Sequence, residues 1–141
     1  MSLSKKEISI SIEIIFSVLF AVVFMSYFYE NRLNSFDFND VVGKIIQIVI
    51  FSVLYFSITH SLLALFHKEK IIQDERDDLI SSKSYKLGYL LYELCLGLFI
   101  GILLTDSSLQ KNGMIIFLFL LILLIVSFIK SLFQLYLYRT S

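Results

Sequence analysis

Polar positions are sparse along most of this chain, and where they gather they separate four apolar runs: Ile8–Tyr29, Val41–Phe66, Leu87–Leu104 and Met114–Leu135. A helix needs about 20 such residues to cross a hydrocarbon core of about 30 Å. The pattern predicts an all-α, polytopic membrane protein, an antiparallel bundle of four transmembrane helices. Residues 1–141 form one membrane domain with spans at about 8–29, 41–66, 87–104 and 114–135, and a polar loop at 67–86. Short connections predict that the helices pack in sequence order. With 57% apolar side chains, the spans consume the chain and leave no separate soluble module. The first run exceeds the core of a signal peptide, about 7–15 residues, and no small-x-small cleavage site follows it, so it reads as a retained anchor. Prolines are absent and no internal repeat is visible, which argues against an alternating-access transporter.

Charge supplies an orientation. Of the 12 lysines and arginines, all but Arg32, Lys44 and Lys111 fall in the N-terminal tail, in the 67–86 loop and its margins, or near the end of the fourth run. Basic residues mark the inner side of a membrane, so both termini and the central loop are expected in the cytoplasm of a multi-pass protein of the cell's inner membrane. Tyr27 and Tyr29 would then lie at the outer interface, and Tyr85, Tyr89, Tyr136 and Tyr138 at the inner one. The net charge of zero offers no field for nucleic acid. A single cysteine, Cys95, makes neither an internal disulfide nor a zinc site, and no cofactor or metal is expected.

Charged groups inside a span cost at least about 2.5–3.5 kcal/mol at its centre on insertion scales, so each calls for a reason. Each span places one ionisable group within about two turns of its inner end: Glu13, His60, Glu93 and Lys130. They form a polar layer on one reading, a structural clasp. On another, His60 and Glu93 make a proton- or cation-responsive pair. On a third they do not meet, because spacing sets depth and leaves azimuth open. Gly97 and Gly101 form a GxxxG pair, a close-packing seam either within the chain or with a second copy. Ser57/Ser61 and Ser127/Ser131 repeat that spacing more weakly.

The segment before the third run has no helix breaker ahead of Gly88 and places acids where a helix dipole favours them, so the third helix is expected to begin near Asp74. Asp74, Glu75, Arg76, Asp77 and Asp78, followed by Lys83 and Lys86, read as a solvated helix start or as a partner-binding surface. A cation site is weaker, since the glycine and final glutamate of a calcium loop are missing. Asp74-Glu75-Arg76-Asp77, then Leu79-Ile80 and Lys83-Ser84-Tyr85-Lys86-Leu87-Gly88-Tyr89, resembles the DERD-type motif before the third span of an uncharacterised family of small bacterial four-span membrane proteins. Lysine stands at 83 and 86 where that motif has arginine. Members are often encoded beside small helix-turn-helix regulators, so the resemblance implies a regulatory membrane partner.

No nucleophile set, HExxH motif or phosphate-cradling loop is present, and the chain is not expected to be an enzyme. The expected role is a non-enzymatic regulatory or interaction protein that presents the DERD-type segment to a cytoplasmic protein. The alternative is an oligomeric pore or small-solute pathway, of toxin-immunity or defence type, built around the polar layer.

Overall fold

The computed structural model describes residues 4–66, 75–105 and 111–140. His67, Lys68, Lys70 and Asp74 therefore lie outside the described residues. Four helices account for the regular structure: α1 (Lys5–Glu30), α2 (Phe38–Phe66), α3 (Glu75–Thr105) and α4 (Asn112–Thr140), all long and apolar enough to cross a membrane. Each outruns the apolar stretch that predicts it, because polar flanks continue a helix as long as nothing breaks it. At 31 residues, α3 is about 46 Å long at 1.5 Å per residue, so its first three turns precede the apolar run.

Helix α1 starts with a capping box. The Glu7 amide donates to Ser4 Oγ at 3.2 Å, and the Ser4 amide donates back to Glu7 Oε2 at 2.8 Å. Between Ala21 and Met25 the helix widens into a π turn. The extra residue in that turn rotates the following segment, so that Phe24, Met25 and Phe28 are all buried.

The helices do not pack in sequence order. Helix α4 lies between α1 and α3, and α2 packs closely only on α1, giving the row α2–α1–α4–α3. Polar contacts and small side chains mark the neighbours that touch: Lys130 and Ser131 of α4 meet Glu13 of α1. The small residues are where the helices press closest. Ser84 and Ser131 are completely buried, Ser17 nearly so, and Val126 fills the seam beside them. Ser84 spares its hydroxyl by donating to the Ser81 carbonyl at 2.9 Å. Gly88, one turn beyond Ser84, lies under the Lys130 side chain, where an added Cβ would stand 3.3 Å from Cγ. Gly97 and Gly101, by contrast, have nothing within 4 Å. The GxxxG pair is not a seam within this chain; Ser84 and Gly88, at the same spacing, occupy that role.

Helix α2 is held by rings. Phe16 of α1 meets Phe51, Tyr55 and Phe56 with centroids 6.0, 5.2 and 4.7 Å apart, and Tyr55 Oη donates to the Ile12 carbonyl at 2.9 Å. Beyond those rings α2 stands away from α4, leaving apolar clefts of about 320 and 370 Å³ that share Ile48 and Leu120.

At the opposite end from Glu7, Gly113 in the first turn of α4 is pressed under the connection after α1. A Cβ there would fall 2.6 Å from the carbonyl oxygens of Asn31 and Asn34. Backbone cannot yield as a flexible side chain does. Gly113→Ala is therefore expected to destabilise the fold by about 1–3 kcal/mol, the usual range for overpacking. Gly43→Ala, with nothing within 4 Å, should be neutral or mildly stabilising. Thermal unfolding of both variants in one detergent checks the contrast; equal losses would contradict it.

Candidate functional site: a polar clasp at one end of the helices

The first turns of α1, the first turns of α3 and the last turns of α4 converge. Deepest is Glu13. Its Oε2 accepts from Ser131 Oγ at 2.9 Å and from Lys130 Nζ at 3.4 Å. Lys130 crosses Gly88 to reach it, with Nζ 5.0 Å from the centre of the Tyr85 ring. One ammonium is thus shared between a carboxylate and an aromatic face, an arrangement that supports a charge partly removed from water. A turn nearer the helix ends, Gln134 Nε2 lies 3.5 Å from Ser81 Oγ, a long hydrogen bond between α4 and α3.

The outermost level closes the triangle. Lys6 of α1 is ion-paired with Asp77 of α3. Arg139 Nε of α4 lies 3.8 Å from Glu7 Oε1 of α1, and the Arg76 guanidinium donates to the Tyr138 carbonyl at 3.3 Å. Tyr138 stands on the same cleft as Asp77 and Ser81. Inside this ring lies a polar cleft of about 330 Å³, lined by Lys6, Ser9, Glu13, Asp77, Ser81 and Gln134 among others. Each of the three helices contributes both polar and charged groups, so the clasp carries its own counter-charges.

The four ionisable residues expected at one depth divide into two pairs. Glu13 and Lys130 meet inside. His60 and Glu93 both lie on exposed helix faces. His60 stacks on Phe56 one turn earlier, with centroids 6.0 Å apart and planes at 19°. Glu93 lies one turn beyond Tyr89 on its own helix. The DERD-type segment is split as well: Glu75, Arg76, Asp78, Lys83 and Lys86 are exposed, whereas Asp77 turns inward to Lys6. Several participants were not singled out as site residues from the sequence: Lys6, Glu7, Ser81, Ser131, Gln134, Tyr138 and Arg139. Their only signal was position, on the inward face of a helix end, and that face depends on which helices are neighbours. Among the described residues no cluster of His, Cys, Asp and Glu is arranged to hold a metal ion.

At the other end, two cations rest on tyrosines. The Arg32 guanidinium sits 3.9 Å from the centre of Tyr29, and Lys44 Nζ sits 4.1 Å from that of Tyr27. These contacts hold the charges at the margin of the apolar runs, where amphipathic rings and long basic side chains are favoured.

Glu13→Ala strands Lys130 and frees the Ser131 hydroxyl, whereas Lys130→Ala leaves Glu13 its serine. The alanine at 13 should therefore cost more. A double-mutant cycle on the pair should return a favourable coupling of about 0.5–3 kcal/mol, read by unfolding in mixed micelles. Strict additivity would mean that the two charges do not interact.

Comparison with family models, with curated proteins and with solved structures gives no match.

Proposed function

We propose that this chain is a non-enzymatic, multi-pass protein of the inner membrane, an antiparallel four-helix bundle with both termini and the 67–86 connection in the cytoplasm. Its work is to present the start of α3 to a regulatory protein. The reading rests chiefly on the divided acidic segment. Asp77 is tied to Lys6 and Arg76 to the Tyr138 carbonyl, while Glu75 and Asp78 remain at the surface. A surface already held in place loses less conformational entropy when a partner docks. The orientation draws support from the gathering of Lys5, Lys6, Arg76, Lys83, Lys86, Lys130 and Arg139 at one end of the helices. The resemblance to DERD-type membrane proteins suits the same role.

Two measurements test it. Cysteines replacing Asn39 and Ser82, each in a Cys95→Ala background, should react with an impermeant maleimide from the outside and only after permeabilisation, respectively. The reverse pattern would refute the orientation. A photo-crosslinking residue at position 79, in native membranes, should capture one protein adduct. Glu75→Lys with Asp78→Lys should reduce that adduct by about tenfold, and Asp40→Lys should leave it unchanged. An adduct indifferent to the reversal at 75 and 78 removes the docking role.

A further inference from the structure

The row α2–α1–α4–α3 leaves α2 and α3 at its two edges, each with a side that meets no other helix closely. Those bare sides are not uniformly apolar. On α3, Glu93, Gly97 and Gly101 follow one another at one-turn spacing and are all exposed. On α2, Ser57, His60, Ser61 and Ala64 share an exposed face. We propose that a second copy of this chain covers these edges, the Ser57–His60–Ser61 face of one α2 lying against the Glu93–Gly97–Gly101 face of the other's α3.

Charge, depth and shape agree on this pairing. A carboxylate turned toward lipid is costly, and Glu93 lies on an exposed helix face. The complementary group is an imidazole, and His60 is the ionisable residue on the bare side of α2. At 1.5 Å per residue His60 lies about 9 Å from Phe66, where its apolar run ends, and Glu93 about 9 Å from Leu87, where its run begins. With α2 and α3 running in opposite senses, the two groups meet at one level. Next to them, glycines with no atom within 4 Å face serines and an alanine, which lets two backbones approach. A symmetric α3–α3 seam would use the same glycines but set Glu93 against Glu93. Edge-to-edge pairing avoids that repulsion, and a twofold axis makes the contact twice.

The seam requires that the helices cross the membrane, as proposed above, but not that a regulatory partner exists. Full-length chains carrying Ser57→Cys and Gly97→Cys, all with Cys95→Ala, are co-expressed and oxidised in native membranes. A disulfide-linked dimer is expected from the mixture and not from either chain alone. His60→Glu in both chains should cut that product by about tenfold, the range of an interhelical polar pair, and adding Glu93→His should restore it. A dimer formed equally by Gly97→Cys chains alone overturns the proposal in favour of the α3–α3 seam. So does the absence of any linked dimer, or a product that ignores the exchange of charges. If residues 39 and 82 label from opposite sides while no dimer forms, the seam fails and the membrane reading stands. If carbonate extracts the chain from membranes, both fail together.

Discussion

A carboxylate at position 13 has to be answered from the far end of the chain. The answer is the adjacent pair Lys130 and Ser131, and it determines which helices touch. With α4 drawn onto α1 by that contact, Lys130 lies across α3, where a Cβ at position 88 would stand 3.3 Å from its Cγ. Gly88 supplies the room. Ser84, one turn earlier, extends the same close approach, so one polar contact and one small-residue face together set α4 in the middle. In a solvent that does not reward burying leucine, such contacts weigh more than the far larger apolar surfaces around them.

The same logic explains why α2 is the loosest element. It offers α1 a set of rings and one hydroxyl, from Tyr55, and brings no charge to the clasp. Few buried contacts mark a segment of low local stability, and α2 has Leu63 as its one buried residue among those described. The apolar clefts between α2 and α4 are a consequence: among the described residues no hydrogen bond or ion pair joins the two.

The acidic start of α3 is part of the clasp, and in the proposed role it is also the surface a partner meets. Asp77 and Arg76 fasten the helix to its neighbours, Asp78 borders the polar cleft while staying exposed, and Glu75 stands at the surface. Lys6 and Asp77 join α1 to α3, so the N-terminal turn and the acidic segment are directly linked. Any partner that grips the exposed acids acts on a surface whose position is set by the clasp beneath it. The clasp is therefore the mechanical link between what happens at that surface and the arrangement of three of the four helices.

Helix number and approximate limits were legible in the sequence, because a long proline-free apolar run has one stable form in a bilayer and its length is counted directly. The position of each described charged residue along its helix was legible for the same reason. Azimuth was not. Glu13 and Lys130 were expected to share a level with His60 and Glu93, yet two turned inward and two outward, a difference no one-dimensional spacing encodes. Gly97–Gly101 and Ser84–Gly88 have identical spacing, and only the position of Lys130 decides which glycine is needed. The sequence by itself determined four helices and their polar ends. Tertiary structure alone decided who neighbours whom, since in an apolar medium that choice depends on a few polar contacts closing in three dimensions.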